Sequence, residues 1–440
     1  MTVLLTSISL RPGRPDSLER VATVLSKLKD DDYYAYERSG VWYMGIGTRS
    51  SLVIDPSGQK AILSSGGKEE VRSISGQVSD ISREFTSAHA DSGTRIYGYV
   101  GFNYALHTRG IPYTPGKWPL ISLMVPRTEI VVRPEEITLS GVDNREVREL
   151  SELVNRVTCI DPSPGQAVDT HDNAAEYTSR VEAALREISA GDYVKVIPSR
   201  AVRLPQRVNM PATLLCGRRR NTPARSFCLR HSGLEATGFS PELVMSLHDG
   251  KLITEPLAGT RTREEAAGAN GKKLKEELVS DPKEIVEHVI SVKEAIGELD
   301  QLCSPGTVVV DDLMSVRPRG SVQHLGSSVS GTLAPEKDAW DAFNILFPSI
   351  TATGIPKQGA LEAIGRLESQ PRELYSGAVL FIEDPRNWDA ALVLRTVFQD
   401  GERQWLQAGA GIIAQSLPER ELTETCEKLA STAPYIVTDL

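Results

Sequence analysis

The chain has 440 residues, 40% of them hydrophobic and 24% charged, a globular balance with enough length for one large core or two domains. A formal net charge of −9 argues against non-specific nucleic-acid binding, and the one dense basic run, Arg218-Arg219-Arg220, is short. Five cysteines form no CxxC pair, residues 1–14 lack a signal-peptide pattern, and no apolar run reaches membrane-spanning length, so a soluble, cytoplasmic protein with reduced thiols is expected.

In chain order, a short strand at residues 3–5 precedes an amphipathic helix over 17–29 with Leu18, Val21, Val24, Leu25 and Leu28 inward. Strands are predicted at 32–46 and 51–63, a helix at 71–90, and an aromatic, glycine-rich strand at 94–104. Strands at 120–125 and 128–133, a hairpin partner at 136–142 and a helix at 146–157 follow. This third carries no recognisable chemistry. Residues 161–172 read as a linker, either between two domains or as a surface loop within one.

A helix over 174–190, ended by Gly191, runs into a strand over 193–200. Lys195 alternates there with Val194 and Val196. A buried strand lysine is expensive unless paired, and desolvation turns it into a base; the alternative is an edge lysine facing water. Strands at 225–229 and 235–238 lead to Glu242, which follows a proline. It reads as a half-buried acid of raised pKa or as an exposed turn carboxylate. Gly259 and Thr260 offer close backbone approach and a hydroxyl, and residues 264–278 read as a charged helix.

The next helix opens on Asp281 as N-cap and Pro282 at the first position, with Ile285, Val286, Val289, Val292, Ile296 and Leu299 as its apolar stripe. Glu284 and Glu287 point the same way, although Asp281 and Glu284 are also spaced as a capping box. Segments 306–314 and 321–333 pair across Pro318-Arg319-Gly320. His324, on the second strand, reads more simply as a satisfied histidine than as a ligand contact. A helix at 338–346 precedes a loop at 347–357 that includes Thr351, then a helix at 358–367. Tyr375-Ser376-Gly377 opens a strand over 378–382. A strand over 388–399 puts Arg395 on an apolar face, where its fork wants an anion. Gly409 and Gly411 clear space for a ligand. On the helix over 416–430, Glu421, Glu424 and Lys428 lie at i, i+3 and i+7. Two Glu-x-x-Glu helices can share a hard cation such as Mg²⁺; taken singly, each pair also fits a capped or solvated helix face.

These motifs together resemble the chorismate-utilising enzymes, which include anthranilate, aminodeoxychorismate, isochorismate and salicylate synthases. They read Lys195-Val-Ile-Pro-Ser-Arg200, Gly238-Phe-Ser-Pro-Glu-Leu243, Glu255-Pro-Leu-Ala-Gly-Thr-Arg261, Asp281-Pro-Lys-Glu-Ile-Val-Glu-His288, Val322-Gln-His-Leu-Gly326, Thr353-Gly-Ile-Pro-Lys357, Leu374-Tyr-Ser-Gly377 and Ala408-Gly-Ala-Gly411. The resemblance covers about residues 174–440. It implies an α+β fold: one large domain, 1–440, of two stacked, mostly antiparallel sheets flanked by helices. Within it, residues 1–160 would be an N-terminal scaffold part and 171–440 the motif-bearing part.

The ammonia-using branch typically has glutamine at position 195, so lysine implies water as nucleophile. That leaves isochorismate synthase and salicylate synthase. The run 347–357 and Glu424-Thr-Cys-Glu-Lys-Leu429 look most like the salicylate branch. Pro198 departs from the more usual leucine and removes a ladder donor beside Lys195. The resemblance implies Lys195 as base and Glu242 as acid, and Mg²⁺ held by Glu287 and Glu424 with Glu284 and Glu421 supporting. Tyr375 and Arg395 would hold the enolpyruvyl carboxylate. Gly259, Thr260, Thr351, Gly409, Gly411 and Lys428 would line the site, and His324 would flank the ring. The implied partner is the small molecule chorismate, with no nucleic acid, membrane or amidotransferase subunit. The protein would be a monomer or homodimer making salicylate for a siderophore or another aryl-capped metabolite.

Overall fold

Two strands set the architecture. Val41–Ile54 and Ile121–Val132 are rich in β-branched and aromatic residues, and they pair antiparallel along nearly their whole length. Their register shifts between Thr48 and Ser50, opposite Pro126, where a residue without an N–H is tolerated. In the computed structural model, which describes residues 4–10, 16–28, 31–90, 93–157, 162, 168–262 and 269–439, this ribbon belongs to two sheets at once.

On one side of the shift, Val41–Ile54 pairs with Tyr33–Arg38 and Ile121–Val132 with Glu136–Gly141. The sheet continues from Tyr33–Arg38 through Arg225–His231, Leu234–Ser240, Thr396–Gln399 and Gln404–Gly409 to Ser199–Leu204. On the other side the same two strands pair with Lys60–Ser65 and Ile96–Val100. That sheet continues through Ala378–Asp384, Asn387–Leu392, Leu243–His248 and Lys251–Thr254 to Val322–Thr332. Leu257–Thr262 and Val309–Arg319 flank the last strand.

The sheets stack through an aromatic core that includes Tyr34, Tyr36, Tyr97, Phe227, Phe381 and Trp405. Phe381 is its hub, with ring centroids 5.2 Å from Tyr36, 4.7 Å from Tyr43 and 5.5 Å from Tyr97. The outer face of the first sheet packs under Ser17–Lys27, Asn144–Asn155 and Met210–Arg220, through Val21, Leu25, Leu150 and Leu214. The outer face of the second packs under Val78–Ala90, Ala174–Ala190, Pro282–Asp300, Ala339–Leu346 and Lys357–Leu367, through Phe85, Val181, Val292, Phe343 and Leu361. The fold is the α+β arrangement of two sheets flanked by helices. None of the described helices is long and apolar enough to cross a membrane.

Several predicted boundaries move. Residues 68–73 form an exposed edge strand, so the helix starts at Val78 rather than at 71. The strand of 94–104 ends at Val100 and a short helix, Asn103–Thr108, follows. The two strands of 120–133 are one. The strand over 388–399 breaks into Asn387–Leu392 and Thr396–Gln399. Met210–Arg220 is a helix that periodicity does not reveal, capped by Asn209 accepting from the Ala212 N–H at 3.0 Å. Residues 161 and 163–167 of the linker, Cys159 and residues 263–268 lie outside the described residues.

Phe381→Ala should lower stability by about 3–5 kcal/mol, because the cavity it leaves is walled by the rings of both sheets; urea unfolding of both proteins measures it.

Candidate active site

The helix Pro282–Asp300 starts as its sequence predicts. The Asp281 carboxylate accepts from the Lys283 and Glu284 N–H groups at 2.9 and 3.4 Å. Glu284 does not close a capping box; its carboxylate meets Arg261 Nη1 at 3.1 Å. The predicted apolar stripe is only partly the buried face: Val292 and Leu299 are buried and Ile296 packs against the core, but the first turns face differently. Val286 and Val289 are 45% and 48% exposed, whereas Glu284, Glu287, His288, Ser291, Val292 and Ala295 are buried. A polar face turned inward needs partners, and the site supplies them.

The helix Pro418–Ala430 brings Glu421, Glu424 and Lys428 to the same place. Three lysines thread the four carboxylates. Lys283 Nζ lies 2.9 Å from Glu287, 3.4 Å from Glu421 and 3.9 Å from Glu284. Lys195, 1% exposed, donates to Ser291 Oγ and pairs with Glu287 Oε1, both at 3.0 Å. Lys428 pairs with Glu424 at 2.8 Å and donates to the Gly409 carbonyl at 2.9 Å. Burial alone would push Glu287 up, but Lys195 and Lys283 hold it at about 2. Burial opposes Glu424 likewise, and Lys428 with Lys283 holds it at about 2. Glu284 and Glu421 are raised by burial to about 7, with Glu424 pushing in the same direction. Despite its burial, the Lys283 ammonium is held well above its ordinary range by Glu287 and Glu424.

This cluster suits a hard cation in its donor chemistry. Glu284, Glu421 and Glu424 each keep a buried Oε2 with no hydrogen-bond partner among the described residues. With Lys283 between them the carboxylates stand apart, and among the described residues no three His, Cys, Asp or Glu side chains converge to metal-ligand geometry.

Beside the cluster lies a cavity. Of the predicted residues, Glu242, Gly259, Thr260, Glu287, His324, Thr351, Tyr375, Arg395, Gly409, Gly411, Glu424 and Lys428 line it. Lys195, Glu284 and Glu421 stand outside its lining. Lys195 is carried by a two-residue strand, Lys195–Val196, paired with Gly354–Ile355; Pro198 falls in the break before Ser199–Leu204 and leaves that pairing intact.

Glu242 is fully buried, not half-buried. One oxygen accepts from Ser349 Oγ at 2.8 Å and the other has no partner among the described residues. Burial pushes its pKa to about 8, so it carries a proton at neutral pH. Arg395 adopts a left-handed backbone, φ 53°, and this is what breaks the predicted strand and aims the guanidinium into the cavity. Its Nη2 donates to His324 Nε2 at 2.7 Å, while His324 Nδ1 donates to the Gly259 carbonyl at 2.6 Å. This pattern fixes the tautomer, and burial with Arg395 keeps the imidazole neutral by holding its pKa far down. The glycines make room for protein atoms as much as for a ligand. A Cβ on Gly411 would sit 2.2 Å from Glu287 Oε1, one on Gly259 2.6 Å from Glu284 Oε2, and one on Gly409 2.6 Å from the Pro198 carbonyl. Sequence reasoning missed Lys283, Ser291 and Ser349 as partners. Lys283 was visible inside the Asp281–His288 motif, but the two serines carry no local signal.

A stacked-sheet α+β fold with this cavity defines a chorismate-utilising enzyme: the sequence profile of the chorismate binding enzymes matches residues 31–434, and the chain belongs to that family. It is 41% identical over 429 residues to a salicylate synthase of Mycolicibacterium paratuberculosis, covering 96% of this chain and 93% of the relative. It is 32% identical over 335 residues to an anthranilate synthase component 1 of Methanothermobacter thermautotrophicus, covering 76% and 72%. The fold matches the menaquinone-specific isochorismate synthase of Escherichia coli with a TM-score of 0.73 at 22% identity, covering 99% of this chain and 94% of that one.

Two outcomes follow from the geometry. Turnover should fall as pH rises through about 8, where Glu242 loses the proton it would donate; a pH–rate profile of kcat/KM measures this. Gly411→Ala should displace Glu287 and cut turnover by about tenfold or more with an unchanged circular dichroism spectrum.

Proposed function

We propose that the protein is a salicylate synthase, converting chorismate through isochorismate to salicylate and pyruvate. The observation that carries this reading is the pairing of roles at one cavity: a buried lysine beside it and a protonated, buried glutamic acid in its wall. The 41% identity to a salicylate synthase over nearly the whole chain supports the same choice.

In this reading, Lys195 takes a proton from water as the oxygen attacks the ring carbon adjacent to the carboxylate-bearing carbon. A base needs its free amine, so the pair with Glu287 must open first, with Ser291 still holding the nitrogen. Glu242 gives its proton to the departing 4-hydroxyl. One water enters and one leaves, so the step is an isomerisation. Arg395, backed by neutral His324, binds the enolpyruvyl carboxylate together with Tyr375. Glu287 and Glu424, supported by Glu284 and Glu421, would hold Mg²⁺, which when bound neutralises the ring carboxylate of the substrate. In the second step a ring hydrogen moves to the enolpyruvyl methylene carbon as the ether bond breaks, releasing pyruvate and forming the aromatic ring. No external base is needed; the cavity walls hold the reacting conformation. Neither step uses ammonia or an amidotransferase subunit.

The test is one incubation of purified protein with chorismate and Mg²⁺, without ammonia, with products separated by mass and fluorescence. Salicylate and pyruvate are expected, and EDTA should abolish both. Isochorismate alone would make the protein an isochorismate synthase; a strict need for ammonia would refute the role of Lys195. Lys195→Ala and Glu242→Gln should each lower turnover by about a hundredfold or more while chorismate still binds.

A further inference from the structure

Arg319 ends the strand Val309–Arg319 at the tip of a hairpin. The tip is clamped to a neighbouring loop: Thr222 Oγ1 donates to the Pro318 carbonyl at 3.2 Å and accepts from the Gly320 N–H at 3.0 Å. Gly320 lies so close to Asn221 that a Cβ would stand 2.2 Å from its Oδ1. The clamp fixes where the arginine can reach. Its Nε donates to the carbonyl of Pro241, a cavity-lining residue next to Glu242, at 2.7 Å. Its Nη1 donates to the Pro318 carbonyl at 3.0 Å.

The pairing of this guanidinium is unusual. Among the described residues no carboxylate lies within ion-pair distance of Arg319. The acid that acts on it most, Glu255, is already paired with Arg317 at 2.8 Å. Arg395 is in the same position: among the described residues its side chain bonds only to neutral His324. After burial, the largest influence on Arg395 is Arg319, another cation. Guanidinium groups that lose water normally gain a carboxylate in exchange. Arg395 is buried and Arg319 half-buried, and neither has one among the described residues; as two cations they repel each other.

We infer that Arg319 is a positioning residue for the enolpyruvyl carboxylate: with Arg395 it gives that end of the cavity a double positive charge, which no carboxylate pairs with directly among the described residues and which an anionic ligand balances. The inference rests on the chorismate reading above and deepens it. Arg395 touches the carboxylate and Arg319 acts through the field from behind Pro241. The protein without substrate carries the repulsion, and binding relieves it, so Arg319 should strengthen substrate binding at the expense of the empty enzyme's stability.

The experiment compares the wild type with Arg319→Gln and Arg319→Lys as full chains. It measures kcat and KM for chorismate, chorismate binding by calorimetry, and Tm without substrate. Glutamine keeps a donor for the Pro241 carbonyl but loses the charge. Arg319→Gln should raise KM and Kd by about three- to tenfold with kcat within about twofold, and its substrate-free Tm should equal or exceed the wild type's. Its kcat/KM should also depend less on ionic strength. Arg319→Lys should bind close to the wild type. An unchanged Kd in Arg319→Gln would overturn the inference. So would a lowered substrate-free Tm with kcat and KM both degraded, which would make Arg319 a strap for the hairpin. Equal defects in the lysine and glutamine variants would also overturn it, because charge would then not matter. A wild type that neither binds nor converts chorismate would overturn the functional reading itself and this inference with it.

Discussion

Four carboxylates buried around one lysine cannot all stay charged unless cations stand among them. Lys195, Lys283 and Lys428 meet that demand for Glu287 and Glu424, while Glu284 and Glu421 rise toward neutrality. Much of the site follows from this balance. The N-cap at Asp281 starts a helix in the orientation that turns its polar face inward. Gly259 and Gly411 leave room for carboxylate oxygens where any side chain would collide. The two-residue strand that carries Lys195 delivers its ammonium to Glu287. Removing any one partner would strand a charge in the interior, which is far more costly than the pair is stabilising.

Glu242 shows the opposite solution to the same physics. It has a serine hydroxyl at one oxygen and no cation within ion-pair distance among the described residues, so burial decides and it keeps its proton. One cavity thus holds carboxylates that stay ionised through their lysines and a carboxylic acid that stays neutral through isolation. Different environments have divided one functional group between anion and proton donor.

The sequence was most readable where local rules governed. The helix Ala174–Ala190 and its end at Gly191 match expectation, as do the N-cap at Asp281 and the hairpin around Pro318-Arg319-Gly320. Most of the predicted site residues line one cavity, with Lys195, Glu284 and Glu421 outside its lining. Expectation failed where tertiary contacts overrode pattern. Val286 and Val289 look like core on a helical wheel, but the site recruits the polar face instead. Arg395 sits in a run that alternates like a strand, and its left-handed backbone breaks the run in order to aim one side chain. Ser291 and Ser349 are ordinary residues in sequence, significant only because folding brings them to Lys195 and Glu242.

The ribbon shared by the two sheets has a consequence for how the protein is made. Tyr33–Arg38 must wait for Arg225–His231, and Ile96–Val100 for Ala378–Asp384; Ser226 and Glu37, which bond across this seam, are separated by 189 positions in the chain. As the polypeptide leaves the ribosome, its earliest strands therefore keep open edges through most of synthesis, and such edges are templates for mispairing. Partners so distant also make assembly slow, since loop closure is completed before the aromatic seam can form. The cavity is lined only from Ile197 onward, by strands of both sheets and by the helices Pro282–Asp300 and Pro418–Ala430, so its walls close only when the last α-helix of the chain is in place.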